Sequence, residues 1–377
     1  MKLPGPPALP IIGNCLQFTR NDLCKLFREL HEFARSYAPI ARLWFGPVLV
    51  VGVTDPDNIE KVVKHDKLCN RGYVIRKVME RPFRNGLLHL DGEEWRRHRK
   101  IVSAGFHNNT LEPFVENFAK NSDILANKLQ VLADGITAHD IAPYIVRCCL
   151  DIIYQTSSKI NTDIQNDNDD TILKNCETIV NTPTLRIIKP WLLIDWIFNA
   201  TELGKTYNSA VKCEHGKLIN EIEKKKRMRE NTHTKGLNDE KPSVLDLLIQ
   251  RADIRAEEIV GQIASIIGAG IDTISYACCY VLALLRENQH ILDRVMQEQL
   301  DIFGDDILRP VRNDDLPRMV YLEQVGSCLL RSSVFSRTVA IFRHDINRSS
   351  YRHTYITHTH THILYVCVCV YIYIYKK

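Results

Sequence analysis

Asp272 is the only charged side chain between Ile259 and Leu285, in a run otherwise made of apolar and small residues. The segment Glu257 to Leu285 is apolar all round, so as a helix it must be buried, in a large core or in lipid. Gly261, Gly268 and Gly270 fall within it, and each costs about 1 kcal/mol against alanine in a helix interior. Thr273 follows the acid, and its hydroxyl can bond back to the carbonyl of Ala269 and bend the axis. A helix that is weakest around its one buried acid points to a site beside it. A second candidate is Trp95-Arg-Arg-His-Arg-Lys100, with four fixed cations in six residues. Trp95 and Arg99 are four apart and share a helical face. The pattern suits an anionic ligand or partner; a solvated basic face is the plainer reading of the spacing alone. A third is the histidine run His353, His358, His360 and His362. Alternate residues of a strand share a face, so adventitious metal binding is physically open there, but nothing supports a built metal site.

These groups must be carried by helices, because the chain reads as mainly α with a small β-sheet. Helical spacing covers Asp22 to Tyr37, His139 to Ile160, Thr171 to Val180 and Glu221 to Glu230. Ile40 to Phe45 and Val48 to Val53 are β-rich runs split by Gly46-Pro47, a hairpin pattern. Asp55-Pro56 predicts a capped helix start leading into Ile59 to Lys64. Asp91-Gly-Glu-Glu94 has the capping-box pattern and should start the basic helix. Asn288 to Phe303 is amphipathic and stops at Gly304. Asn161 to Asp170 and Asn231 to Lys241 are polar and read as loops. Trp191 to Phe198 is apolar and aromatic, fit for packing or for a membrane surface.

Composition bounds the class. The 377 residues are 45% hydrophobic and 25% charged, which is ordinary for a globular chain with a sizeable core. A net charge of +4 is too small to argue for nucleic acid. Among the twelve cysteines, the pairs Cys148-Cys149 and Cys278-Cys279 sit in apolar helical runs, where free buried thiols are the commoner state. A reducing, cytosol-facing environment fits better than secretion. No signal peptide or N-terminal membrane span is evident. The central helix is long enough to span a bilayer, yet three glycines and an acid near its middle are poor insertion chemistry.

After Val325 the character changes. His353-Thr-Tyr-Ile-Thr-His-Thr-His-Thr-His362 ends in alternating Thr and His, and Tyr365 to Tyr375 alternates Cys or Tyr with Val or Ile. Such dipeptides are what CA, TG and TA dinucleotide repeats encode. The expectation is therefore a folded segment 1–325 and an unrelated, disordered tail 326–377 read from non-coding sequence. Val366 to Tyr375 is β-prone and uncharged, an aggregation hazard.

Ala269-Gly-Ile-Asp-Thr273 resembles the oxygen-activation motif of the cytochrome P-450 family, the haem-thiolate monooxygenases. Other matches follow in family order: Pro4-Gly-Pro-Pro7 as a proline hinge, Trp95-x-x-x-Arg99, Leu245-Asp-Leu-Leu248, Phe303-Gly304, and Asp315-Leu-Pro-Arg-Met-Val-Tyr-Leu-Glu323. Asp140-Ile-Ala-Pro-Tyr144 and Leu150-Asp-Ile-Ile153 resemble its fatty-acid-hydroxylase-like branch. The resemblance implies haem b as cofactor, with the central helix crossing one face of it. Ala269 and Gly270 would leave room for dioxygen and substrate, Thr273 would hydrogen-bond the oxygen, and Asp272 would relay protons. Trp95 and Arg99 would hold a haem propionate. Electrons would come from an NADPH-dependent flavoprotein reductase meeting the basic helix at Arg96, Arg97 and Lys100. The substrate would be small and apolar, the location the cytosolic face of the endoplasmic reticulum membrane; without an N-terminal anchor a cytosolic form is the alternative.

The departures are as informative. The family's thiolate comes from a Phe-x-x-Gly-x-x-x-Cys-x-Gly loop, and its push favours O–O cleavage. No such loop occurs in the sequence; Cys328, Cys367 and Cys369 lack its glycines and phenylalanine, so the axial cysteine is absent and no metal ligand is assigned. The Glu-x-x-Arg pair is also missing: Cys328 stands where the Glu belongs, three before Arg331. Ala269 replaces the Glu that the branch often carries, which excludes a haem ester there. The expectation is an incomplete cytochrome P-450 fold that is catalytically inactive as written. The alternatives are a truncated or mis-spliced product, or a helical module that binds a membrane surface.

Overall fold

The glycines of the central helix explain themselves through their neighbours. In the computed structural model the helix runs Ala256–Glu287. A Cβ on Gly261 would stand 2.1 Å from the carbonyl oxygen of Arg84 and 2.8 Å from the nitrogen of Gly86, and a Cβ on Gly86 would meet the carbonyl oxygen of Gly261 at 2.0 Å. Two backbones touch there with no side chain between them. A Cβ on Gly268 would meet the Phe83 ring at 2.7 Å, and one on Gly270 the Cδ1 of Ile153 at 2.8 Å. The three glycines are therefore contact points with neighbouring segments, not a weak spot around Asp272.

The structure describes residues 3–18, 23–65, 70–106, 114–134, 137, 139–167, 170–231, 242–251, 253–306 and 309–332. The expected polar loop 231–241 lies outside them from residue 232 on, and the expected disordered tail 326–377 from residue 333 on. The architecture is mainly α with one two-stranded antiparallel sheet. We number the helices α1 (Leu23–Ser36), α2 (Pro56–Lys64), α3 (Tyr73–Phe83), α4 (Gly92–Ala104), α5 (Phe114–Leu132), α6 (Ala142–Ser158), α7 (Thr171–Ile188), α8 (Asp195–Ala200), α9 (Glu202–Asn231), α10 (Val244–Ile249), α11 (Ala256–Glu287), α12 (Gln289–Phe303) and α13 (Val320–Ser332). Helix α13 runs on past Val325, so the backbone does not break where the composition changes.

Two compact units form. Residues up to 81 join with 177–211, and 82–176 join with 212–332. In the first, β1 (Ile40–Phe45) pairs with β2 (Val48–Val53) in the register Ile40 to Val53 through Phe45 to Val48. Gly46 turns the hairpin at φ +58°. The proline-rich opening is tied to β1: the Arg42 amide donates to Pro4 O at 2.8 Å, and the Trp44 amide to Asn14 Oδ1 at 3.0 Å. Further along, the buried Arg186 lies over the Phe198 ring at 4.3 Å and donates to Asp195 at 3.1 Å.

The second unit is built on α11, which packs against α6 and, further along, against α12 and α13. Among the described residues it alone is long and apolar enough to cross a membrane. Here it is a core helix: Ile259, Ile263, Cys278, Val281 and Leu285 on it are all buried. The polar segment after α6 is clamped by the buried Asp151, whose carboxylate accepts from Thr162 Oγ1 at 2.6 Å and the amides of Ile164 and Gln165 at 2.8 and 2.9 Å. Glu298 on α12 caps α13, accepting from the amides of Tyr321 and Leu322. The buried Asp315 accepts both guanidinium arms of Arg309 at 2.7 Å. A full capping box forms at Ser243 and Asp246, ahead of α10. None forms at Asp91, whose side chain makes no cap bond because Gly92 turns into α4 at φ +60°.

A buried polar knot joins α4 to α11. The Gln262 amide donates to Asn85 O at 2.7 Å and to His98 Nδ1 at 2.9 Å, while its oxygen accepts from the Leu87 amide at 3.2 Å. The two backbone partners fix the amide's orientation, so His98 Nδ1 must be the acceptor. His98 Nε2 faces Glu258 Oε1 at 3.5 Å and the Arg97 guanidinium. Burial, and then the Arg97 charge, hold the imidazole below its usual range against the pull of Glu258 and Glu94.

Two outcomes follow. Gly261→Ala forces backbone apart and should lower stability by about 1–3 kcal/mol in urea melts, whereas Gly216→Ala on α9, with no atom within 4 Å of its Cβ position, should raise it by about 0.5–1 kcal/mol. The unfolded chain takes up a proton on His98 near pH 6.5 that the fold resists, so this contribution is complete above about pH 6.5 and falls as pH drops through it. Urea midpoints at neutral and mildly acid pH should therefore differ more in the wild type than in His98→Gln.

Candidate functional site

Where α11 leans on α6, side chains leave a cavity of about 440 Å³. The turns of α11 at Ile266, Ala269, Gly270 and Thr273 form one wall, as positions three and four apart share a face. Ile152 and Ile153 of α6 line the cavity next to this wall, and Phe114 and Phe118 of α5 add to the apolar lining. Leu87 and Leu88 close one end, and Arg99 of α4 brings a cation to the lining. The surface is overwhelmingly apolar, so it suits a hydrocarbon ligand with an anionic end near Arg99.

The structure sorts the sequence candidates. Ala269, Gly270, Thr273 and Arg99 all line the cavity. Thr273 Oγ1 donates to Ala269 O at 2.7 Å, the back-bond expected from its position. Asp272 is adjacent in sequence but points off this wall. It is half-buried, and burial raises its carboxyl above the usual carboxylate range. Trp95 is half-buried on α4 and does not line the cavity, so the pairing of Trp95 with Arg99 does not converge there. The histidines of 353–362 lie outside the described residues. Among those described, no group of three His, Cys, Asp or Glu side chains could hold a metal ion.

Three participants carry no clear mark in the sequence. His98 reads there only as part of a basic run, yet it is 1% exposed and anchors the helix that carries Arg99. Gln262, an amide within an apolar stretch, is the available signal for that anchor. Cys149 lines the cavity and packs in the same buried cluster as Cys278. The Cys278 contact and burial hold that thiol well above its usual range, so it is a neutral SH.

The family model described as Cytochrome P450 matches residues 3–350, continuing beyond Val325. Cytochrome P450 4d2 of Drosophila melanogaster is 28% identical over 338 residues, 86% of this chain and 67% of that protein. Probable cytochrome P450 4aa1 of the same organism is 28% identical over 332 residues, 86% of this chain and 63% of its own. Cytochrome P450 4V2 of Mus musculus is 28% identical over 339 residues, covering 86% and 64%. The chain thus spans about two thirds of the length of these curated relatives. A match over most of the chain, with the cavity walled by the Ala269–Thr273 motif, establishes that this chain belongs to the cytochrome P450 family.

Proposed function

We propose that these 377 residues carry the substrate-side half of a haem monooxygenase site, and that this chain by itself does not turn over. The observation that carries the reading is the apolar cavity with Ala269, Gly270 and Thr273 along one side and Arg99 in its lining. Proteins of this family use haem, which when bound supplies the redox chemistry for activating dioxygen. The residues fit that group only in part. Small side chains on α11 allow a flat ligand to approach, and Arg99 suits a propionate; Trp95, on the same helix, does not line the cavity. The one cysteine in the lining, Cys149, packs in the buried cluster with Cys278 and is not set in a Phe-x-x-Gly-x-x-x-Cys-x-Gly loop. No such loop falls among the described residues to hold the iron.

The chain's own groups have tasks that do not depend on that ligand. The apolar walls exclude water and receive a small apolar substrate; fatty acids, hormones and xenobiotics all belong to that class. Thr273 spends its proton on Ala269 O, leaving the oxygen's lone pairs to accept from water or a ligand. Asp272, whose carboxyl is raised by burial, would relay protons from beside the cavity wall, since it does not line it. Arg96, Arg97 and Lys100 are candidates to meet an acidic flavoprotein reductase. The exposed Trp191, Ile194 and Trp196 support a membrane-surface contact, in keeping with the cytosolic face of the endoplasmic reticulum.

The reduced, carbon-monoxide-bound spectrum of the chain should lack the Soret band of a thiolate-ligated haem; its appearance would overturn the inactive reading. Separately, an apolar fluorescent probe should bind the chain, and Ala269→Phe should abolish that binding by filling the cavity. Undiminished binding in Ala269→Phe counts against the substrate-side assignment.

A further inference from the structure

Four hydroxyl side chains line the apolar cavity, and each has committed its proton to its own helix. They are Thr156 and Ser157 on α6, and Ser265 and Thr273 on α11. Thr156 Oγ1 donates to Ile152 O at 2.7 Å, and Ser157 Oγ to Ile153 O at 2.5 Å. Ser265 Oγ donates to Gly261 O, and Thr273 Oγ1 to Ala269 O, both at 2.7 Å. A carbonyl only accepts, so the direction of each bond is fixed. Every partner lies four residues back on the same helix, the usual back-bond of a helical hydroxyl. What such a group can still offer a ligand is an oxygen lone pair. Ser265 and Thr273 stand eight residues apart, about 12 Å along α11, so the acceptors are spread along the wall. The strong side-chain donor in the lining is Arg99, and no carboxylate is among the residues that line it.

We propose that the cavity selects apolar alcohols. The hydrocarbon body fills the apolar walls, and the ligand O–H donates to one of these four oxygens, whether or not an anionic end also meets Arg99. This names the substrate class for the substrate-side reading of the cavity and rests on that reading. An ether, ketone or ester of the same shape brings lone pairs against lone pairs there, and both oxygens stay unpaired away from water. An alkane leaves the same oxygens unpaired. An alkylammonium has donors, but its charge meets Arg99 and no acid in the lining, so its burial is costly. A site built to pair with a ligand hydroxyl discriminates by the polar group it would otherwise leave bare. Thr156, Ser157, Ser265 and Thr273 are therefore specificity-determining through oxygens that accept and do not donate.

The test uses the full chain loaded with Nile red, displaced by decanol or by its isomer methyl nonyl ether. The two differ in water solubility, so the quantity read is the ratio of their dissociation constants. That ratio is compared between the wild type and a variant combining Thr156→Val, Ser157→Ala, Ser265→Ala and Thr273→Val. One neutral hydrogen bond changes affinity by about two- to tenfold, and the ratio should move by that factor against decanol in the variant. Thr273→Ser, which keeps the acceptor, should hold the wild-type ratio. Circular dichroism checks that the combined variant folds. If it does not, the four single substitutions are read instead, and at least one must move the ratio. An unchanged ratio, in the combined variant or in all four singles, overturns the alcohol preference and leaves the substrate-side reading standing. Failure of both ligands to displace the probe from the wild type overturns that reading, and this one with it.

Discussion

At Gly261 and Gly86 two stretches of main chain come into direct contact, and much of the larger unit takes its position from that contact. Interiors are packed to crystal-like density, so a missing Cβ is a dimension of the structure as much as an absence. The contact fixes the segment before α4 against α11, and α4 carries Arg99. Two turns further on, Gly268 admits the Phe83 ring, and Gly270 then admits Ile153 of α6. The same helix thus gathers the loop, α3's last residue and α6 along one edge. Helix propensity is sacrificed three times for this, and the buried apolar side chains of α11 offset the loss.

Buried polar groups supply the registration that apolar packing cannot. Gln262 makes three bonds across two segments, Asp151 holds the strap after α6 with three more, and Asp315 takes a bidentate arginine and the Arg312 amide. Each group is satisfied, so each contributes orientation without the penalty of an orphaned donor or acceptor. Two of these acids, Asp151 and Asp315, sit inside the motifs that carry the family resemblance. Their physical task is to clamp chain segments.

Local signals were legible and relations between distant residues were not. The hairpin bounds, the Pro56 start and the Gly304 stop were readable because a turn, a cap or a left-handed glycine is decided within a few residues. The central helix was readable from its length and apolarity, and the cavity face of Ala269, Gly270 and Thr273 from the motif. The purpose of the glycines was not, since Arg84 and Ile153 lie far off in sequence. Asp272 looked central because charge stands out in an apolar run, but helical rotation carries it off the cavity wall. Helix α5 went unread: Asn121 and Ser122 interrupt its apolar stripe, and both are buried by bonding neighbouring groups. The capping box at Asp91 failed for a nearer reason, as a glycine directly after the cap turned the carboxylate away.

The α6–α11 seam also decides where ligand preference can be written. At Gly270 the side chain of Ile153 fills the space a Cβ would take, so any larger residue there must displace it. Room can also be changed at Phe114 and Phe118 on α5, which line the same cavity. Helix α11 brings Thr273 to the lining, and ring size on α5 tunes the girth of what is admitted.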